Sequence, residues 1–194
     1  MTVTDSTGST TGPAGAVELD EATLVARARD RDVGAFEALV RRYERRIYGL
    51  CLRMCGASGE AEDVTQEVFL TAWRRLPEIE TDAAFGGWLY RTATNRCLNV
   101  LRRRRPTTEF DEHTAPVAPG GDPERTAQNT AAMTALSVAL AALPAQQRAC
   151  WLLREVHGRS YEEIAQVVGT TPAAVRGRIA RARIELAEVM APWR

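Results

Sequence analysis

Hydrophobic residues in the first half of the chain recur at intervals of three and four, the spacing of a helix that buries one face. One stripe predicts a long helix that ends at Gly56, and another predicts a helix that is capped by Ser58 and stops before Pro77. We interpret both as core-facing helices. The first stripe contains Val33, Phe36, Leu39, Tyr43, Ile47, Leu50 and Met54, and the second contains Ala61, Val64, Val68, Ala72 and Leu76.

The outward side of the second helix is acidic but carries a large aliphatic residue at its centre. Helical geometry puts Asp63, Gln66, Glu67, Leu70 and Arg74 together on this side. The combination is typical of a face that docks on another protein. The alternative is an ordinary solvated face with one isolated leucine, because single exposed apolar residues are common.

A third helix is predicted over 85–105, and polar and aromatic groups lie opposite its apolar stripe. An indole, carboxamides and guanidinium groups on one ridge combine a stacking surface, base-edge hydrogen bonding and phosphate counter-charges, which melted or single-stranded nucleic acid needs. The alternative is that Trp88 packs under a neighbouring helix while the arginines are merely solvated. The stripe contains Leu89, Ala93, Cys97, Val100 and Leu101, and the ridge contains Trp88, Arg91, Asn95, Asn99 and Arg102.

Two segments without apolar periodicity divide the chain. A Thr/Ser/Gly-rich leader ends at about Val17 and cannot bury enough apolar surface to order itself. A Pro/Gly-rich segment, 106–123, is interpreted as a linker, and helices are predicted after it at 125–143 and 145–156. No alternating run suggests a strand. We therefore expect an all-α protein of two small helical domains joined by a flexible linker.

A helix-turn-helix is predicted near the C-terminus. Ala165, Gly169 and Val175 supply the small residue, the turn glycine and the apolar plug at the spacing that this motif requires. Thr171 and Pro172 suit the cap and first turn of its second helix. A purely structural helical hairpin is the alternative. The second helix would bury Val175, Ile179, Ala182 and Leu186 and present Ala173, Arg176, Gly177, Ala180 and Arg181 to a major groove, with Arg178 and Arg183 at the flanks.

The charge balance of the 194 residues hides strong local segregation. The chain carries 25 basic and 25 acidic side chains, so its net charge is zero, yet the segment 85–105 contains no acidic residue and ends in four arginines. Local charge of one sign matters more for a nucleic-acid partner than the sum does. Composition therefore leaves the nucleic-acid interpretation intact.

Composition also bears on location and chemistry. No apolar run is long enough to span a bilayer and the leader lacks a signal pattern, so we expect a cytoplasmic protein without membrane insertion. The four cysteines should be buried thiols, and a metal or redox role for Cys51 and Cys55 is the less favoured alternative. The only histidines are His113 and His157, and no phosphate loop or nucleophile–base pattern is evident. We expect no enzyme activity, no cofactor and no metal site.

Three stretches together resemble the sigma-70 family of RNA polymerase sigma factors, specifically its extracytoplasmic-function group. They are AEDVTQEVFLTAW at 61–73, GWLYRTATNRCLNVLRRR at 87–104, and LPAQQR followed by SYEEIAQVVGTTPAAVRGRIARAR over 143–183. The resemblance covers about 19–186. It implies a tail at 1–18, a sigma region 2 domain at 19–105, a linker at 106–124 and a sigma region 4 domain at 125–194.

The resemblance also implies partners and the residues that contact them. The partners would be core RNA polymerase, through the clamp helices of its largest subunit and its flap, and promoter DNA as duplex and as melted strand. A free monomer and a possible anti-sigma factor are further implications. The residues would be Asp63, Gln66, Glu67 and Leu70 for polymerase; Trp88, Arg91, Asn95, Asn99, Arg102 and Arg103 for the minus-ten element; and Arg154, Arg176, Gly177, Arg178, Ala180 and Arg181 for the minus-thirty-five element.

Some positions depart from the family pattern, and one rival interpretation remains. Asn99 stands where many relatives carry aspartate, and Gly177 and Ala180 stand where larger side chains often touch DNA, so a promoter sequence does not transfer. The rival is a stand-alone regulator whose first domain binds an effector. Such a regulator needs neither the ridge around Asn95 nor the acidic docking face, and it would normally dimerise on a palindromic site.

Overall fold

The computed structural model describes residues 19–79, 84–104 and 123–193. Within these ranges the chain forms eight α-helices and no strand, so the predicted all-α class is confirmed. The predicted tail at 1–18, Arg105 and His113 lie outside the described residues, as does most of the predicted linker. The helices are α1 Glu21–Arg29, α2 Val33–Cys55, α3 Ser58–Arg75, α4 Phe85–Arg103, α5 Pro123–Ala142, α6 Ala145–Trp151, α7 Tyr161–Val168 and α8 Pro172–Met190.

The starts and ends of the first helices follow from capping residues. The carboxylates of Asp20 and Asp32 accept backbone hydrogen bonds at the N-termini of α1 and α2, and Gly56 ends α2 in the left-handed conformation. The predicted cap at Ser58 is wrong, because Ser58 is already helical and Ala57 precedes it without a side-chain cap bond. Helix α1 has no counterpart in the sequence prediction, since its short buried stripe gives only weak periodicity.

The first domain packs α1, α3 and α4 around α2. Tyr43 of α2 donates a hydrogen bond of 2.6 Å to Glu21 of α1, and its ring meets Phe85 edge-on. Burial and the neighbouring Glu21 carboxylate raise the pKa of Tyr43, so its phenol keeps its proton. Gly86 lies so close to this phenol that a Cβ there would come within 2.5 Å of the Tyr43 oxygen. Glycine therefore allows α4 to pass against α2.

The predicted buried stripes are mostly confirmed. The stripe of α3 is buried throughout, and so are the stripe residues of α2 from Leu39 to Met54. The prediction that Val33 is buried is wrong, because Val33 lies in the first turn of α2 and 58% of it is exposed. Phe36 is half-buried and stacks on Trp73 of α3 with ring centroids 4.9 Å apart. Val100 and Leu101 are only partly buried, because α4 is close to its end there.

The second domain contains the helix-turn-helix at the predicted positions. Ser160 and Glu163 form a reciprocal capping box at the start of α7, and Gly169 ends this helix with φ of 67°. Thr171 accepts the backbone N–H of Ala174 at the start of α8, as its predicted role as a cap requires. All four residues predicted to face inward on α8 are buried, namely Val175, Ile179, Ala182 and Leu186.

The helix predicted at 145–156 is divided in two. Helix α6 continues into a π-helical turn at Leu152–Val156, which leads to His157 and to Gly158 with φ of 65°. The extra residue in each turn shifts the side chains that follow relative to a regular helix. A periodicity argument could not distinguish this turn from a continuous helix, because Leu152 and Leu153 are apolar and buried in both cases.

The two domains pack directly against each other. Helix α4 contacts α7, and α2 contacts α5 and α6. Arg148 is almost fully buried at this boundary, where it donates hydrogen bonds to the carbonyl oxygens of Met54 in the first domain and of Ala141 and Leu143 in the second. The buried side chains of both domains form one continuous cluster. The helices of the second domain are therefore docked on the first domain in this structure.

Candidate functional site

Helix α8, the second helix of the helix-turn-helix, presents a narrow basic face. Arg176, Ala180 and Arg181 are exposed on the side opposite the buried stripe, and Gly177 between them is half-buried. Because Gly177 and Ala180 have no long side chain, the backbone of α8 can approach a ligand closely at this point. The face suits insertion of α8 into a major groove, with two guanidinium groups available for guanine edges or phosphates.

Tyr161, which the sequence prediction does not include, organises this face. The guanidinium group of Arg154 lies 4.7 Å from the Tyr161 ring centroid and that of Arg176 lies 5.8 Å from it. Arg154 also donates a hydrogen bond of 2.9 Å to the carbonyl oxygen of Arg159. The aromatic ring thus holds one arginine from the π turn beside one from α8. The only sequence signal for this role is an aromatic residue at the first position of α7.

Arg178 and Arg183 are placed apart from this face. Arg178 is half-buried, and its Nη1 atom is enclosed without a hydrogen-bond partner among the residues that the structure describes. Its guanidinium group lies near Cys150 of α6 and counteracts the rise that burial causes in the pKa of that thiol. Arg183 forms an ion pair of 2.6 Å with Glu155. The structure therefore brings Arg154, Arg176, Gly177, Ala180 and Arg181 together but leaves Arg178 outside that group.

The ridge of α4 is exposed as predicted, except at its aromatic member. Trp88 is half-buried and packs against the core, as the alternative interpretation of this residue predicts. The Asn99 Oδ1 atom accepts a hydrogen bond of 3.1 Å from Arg102, so these two side chains support each other. Exposed carboxamide and guanidinium groups along one helix suit the bases and phosphates of a single strand. Its exposed members are Arg91, Asn95, Asn99 and Arg102, and the neighbouring Arg103, which is also predicted to contact the minus-ten element, is exposed as well.

An apolar groove of about 980 Å³ runs between α2 and α3. Leu70 is 49% exposed on one wall, and Val33 and Phe36 form part of the opposite wall. Gln66 also lines the groove, and the exposed carboxylate of Asp63 lies on the same helix face. An exposed apolar groove with a polar border is the usual form of a protein-docking site. Among the predicted docking residues, Leu70 and Gln66 therefore belong to one surface.

Glu67 links the predicted docking face to the predicted DNA ridge. Its carboxylate forms an ion pair with Arg96 of α4, whose other nitrogen donates a hydrogen bond of 2.8 Å to Thr71. A second ion pair, between Glu60 and Arg104, connects the same two helices nearer the end of α4. These contacts fix the orientation of α4 relative to α3. The two ion pairs therefore join α3, which carries the predicted docking residues, to the helix that carries the ridge.

Comparison with known proteins identifies the family. The family description "Sigma-70 region 2" matches residues 39–107, and "Sigma-70, region 4" matches residues 133–186. RNA polymerase sigma-H factor of Pseudomonas aeruginosa is 36% identical over 87% of this chain and 93% of its own length. The chain belongs to the sigma-70 family. Its relatives include the extracytoplasmic-function factors SigM of Mycobacterium tuberculosis and sigma-E of Escherichia coli, each 35% identical, over 92% and 86% of this chain and 89% and 92% of their own lengths.

Solved structures agree with this sigma-factor assignment. CnrH, solved in complex with the cytosolic domain of CnrY, superposes with a TM-score of 0.67 at 26% identity and covers 89% of this chain and 97% of its own. The sigma factor RpoE of Bartonella quintana, solved with the anti-sigma factor NepR, has the same fold, with a TM-score of 0.66 at 21% identity over 82% of this chain and 98% of its own. The predicted family is confirmed. As a sigma factor, the protein binds core RNA polymerase and promoter DNA and acts in transcription initiation.

The remaining chemistry of the sigma factor is sparse. Among the described residues, no helix is long and apolar enough to cross a membrane, and no group of His, Cys, Asp and Glu side chains could hold a metal ion. Cys51, Cys55, Cys97 and Cys150 are free, buried thiols. The adjacent Cys51 and Cys55 thiols, together with burial, raise the pKa of Cys97. A buried thiol with a raised pKa is a poor nucleophile, so Cys97 behaves as an apolar core residue.

Proposed function

We propose that this sigma factor reads the minus-ten element with the α4 ridge and the minus-thirty-five element with the basic face of α8. The observation that supports this most strongly is that two helices of one chain each expose a polar face. The face of α4 carries carboxamides, and the face of α8 carries two arginines beside residues that have little or no side chain. Asn95 and Asn99 suit the edges of unpaired bases, whereas Arg176 and Arg181 suit a duplex groove.

Docking on core polymerase is assigned to the groove between α2 and α3. Leu70 and Gln66 would meet the clamp helices of the largest subunit, Asp63 and Glu67 would supply the acidic border, and the second domain would contact the flap. An aliphatic residue at the centre of a polar border matches the composition of interface centres. Tethering both readers on polymerase gives them a high effective concentration, so the free protein should bind duplex only weakly.

Several broader features belong to the same proposal. The domain boundaries would be 19–105 and 125–194, and the factor would act as a monomer in the cytoplasm without catalytic chemistry of its own. An anti-sigma factor would regulate it, as the anti-sigma factor NepR binds the sigma factor RpoE of Bartonella quintana in the solved complex. Affinity purification from native cells tests this last point. Recovery of a stoichiometric inhibitor supports regulation by a partner, and recovery of polymerase alone contradicts it.

The deciding experiment is transcription in vitro with purified core polymerase on fragmented DNA from the source organism. Specific transcripts that require this protein would support the proposal and define both promoter elements. The Asn95→Ala variant should slow promoter opening more than initial binding, because an unpaired base costs a few kcal/mol of stacking that contacts from the ridge must offset. The absence of any specific transcript, together with no binding to core, would favour the stand-alone regulator.

The division of roles is tested by a second variant. Arg176→Ala should weaken minus-thirty-five-dependent binding by about 1 to 3 kcal/mol if the side chain reads a base. The matched control is Arg183→Ala on the same helix, because Arg183 is paired with Glu155 at the flank. Its effect on that binding should be smaller. Equal effects of Asn95→Ala and Arg176→Ala on both binding and opening would contradict the division.

A further inference from the structure

A cleft of about 530 Å³ opens where the two domains meet. Helix α2 and Tyr90 of α4 form its first-domain side. The end of the π-helical segment and the turn that follows it form its second-domain side. A volume of this size is typical of a small-molecule site. The lining residues are Arg45, Arg46, Gly49, Arg53, Tyr90, Val156, His157, Gly158 and Arg159.

The cleft is strongly basic. Four guanidinium groups line it and no carboxylate does. Arg45, Arg46 and Arg53 form no ion pair with any described residue, although Arg53 donates a hydrogen bond of 2.9 Å to the carbonyl oxygen of Gly49. Arg159 is held in place, because it stacks on Tyr90 at 4.3 Å and pairs with Glu163 just outside the cleft at 3.0 Å. Three of the four cations are thus left without a counter-charge from the part of the chain that the structure describes.

His157 lines the cleft and lies among its positive charges. A hydrogen bond of 3.2 Å joins its Nδ1 atom to the Tyr90 hydroxyl, and its Nε2 atom is buried without a partner among the described residues. Burial, followed by the positive charges of Arg53, Arg159 and Arg46, lowers the pKa of His157 to about 4. Guanidinium groups from both domains therefore act on one point. An anion bound there would relieve their mutual repulsion.

We propose that this interdomain cleft binds a small phosphate-bearing anion. Guanidinium groups match phosphate oxygens in charge and in paired hydrogen-bond geometry. The cleft is separate from the α4 ridge and from the α8 face, so its arginines are not needed for the DNA contacts assigned above. Since both domains supply the site, a bound anion would stabilise their docked arrangement.

The test is titration calorimetry of the full-length protein with inorganic triphosphate at about 0.15 M salt. Wild type should bind, and Arg53→Gln should weaken binding by about tenfold to a hundredfold, because it removes one charge-assisted contact. Arg53 is exposed, so this change does not disturb the core. The matched control is Arg41→Gln, an exposed arginine on the same helix outside the cleft, and it should leave the affinity unchanged.

A second arm identifies the source of the phosphate. Equal affinity for inorganic triphosphate and a nucleoside triphosphate would assign recognition to the phosphate chain alone, whereas much tighter nucleotide binding would assign it to a nucleotide. Saturation should also raise the pKa of His157 in a proton NMR titration, because the anion offsets the nearby guanidinium charges. The His157→Gln variant identifies the resonance.

Three outcomes would overturn the proposal. The first is no binding of triphosphate at this salt concentration. The second is an equal loss of affinity in Arg41→Gln and Arg53→Gln, which would indicate a diffuse attraction to the protein surface. The third is displacement of triphosphate by short duplex DNA at equal phosphate concentration, which would assign the cleft to DNA binding.

Discussion

At the scale of single residues, a substitution at Gly86 tests how closely α4 must approach α2. A Cβ at this position would meet the Tyr43 oxygen at 2.5 Å, so Gly86→Ala forces the phenol away from Glu21. We expect a loss of about 1 to 3 kcal/mol in the free energy of unfolding, the usual cost of overpacking. Urea denaturation measures it.

The neighbouring glycine provides the control for this change. Gly87 is exposed on the same helix, and a Cβ added there would meet no atom within 4 Å. Gly87→Ala should therefore raise stability by up to about 1 kcal/mol, because alanine favours helix. Similar stabilities of the two variants would show that the contact between Gly86 and Tyr43 is not tight.

His157 predicts a pH dependence of stability. Its folded pKa is about 4, below the ordinary value of 6.5, so the unfolded chain binds the proton more readily. The contribution of neutral His157 is complete above about pH 6.5 and is lost as the pH falls towards 4. Denaturation midpoints measured between pH 4 and 7 should fall more steeply with acid for wild type than for His157→Gln. Parallel curves would contradict the assignment.

At the scale of elements, the helices whose stripes are long could be predicted and the short or irregular ones could not. All four inward-facing residues of α8 are predicted correctly, because a 3.6-residue periodicity over 19 residues is compatible with only one buried face. Helix α1 has nine residues and three buried ones, too few to define a period. The turn at Leu152–Val156 depends on backbone hydrogen bonding, which the side-chain pattern does not encode.

The candidate sites divide in the same way. The faces around Leu70, Asn95 and Arg176 lie on single helices, so a correct stripe also fixes what points outward. The stacking of Arg154 on Tyr161 and the basic cleft at His157 join residues from different elements. Their existence depends on how the elements pack, and one sequence does not specify that packing.

The groove between α2 and α3 yields a prediction at this scale. Leu70→Gln should lower affinity for the isolated clamp helices of the polymerase largest subunit by about 5-fold to 30-fold, because burial of an exposed leucine is worth about 1 to 2 kcal/mol. The matched control is Val138→Gln on α5, which is also 49% exposed but lies outside the groove. Fluorescence anisotropy with labelled clamp helices measures both affinities. Equal effects would remove the groove from the interface.

At the scale of the whole molecule, the docked domains conflict with the proposed promoter contacts. The two promoter elements are separated by about 25 base pairs, roughly 85 Å of duplex. In this structure α7, which packs on α8, touches α4 directly. The two reading helices therefore cannot span that distance until the second domain leaves the first and breaks the bond from Arg148 to the Met54 carbonyl oxygen.

This conflict predicts a large opening on assembly with polymerase. The four native cysteines are buried, so exposed cysteines introduced by Arg41→Cys and Glu185→Cys can be labelled selectively with a fluorescent donor and acceptor. Energy transfer should be high in the free protein and should fall sharply when core polymerase and promoter DNA are added. Adding core polymerase without DNA distinguishes two causes of opening. A fall in energy transfer without DNA assigns opening to docking on polymerase, whereas a fall only after DNA is added assigns it to promoter binding. Unchanged transfer in the complete complex would mean that the domains stay docked and that the two helices do not read separate elements.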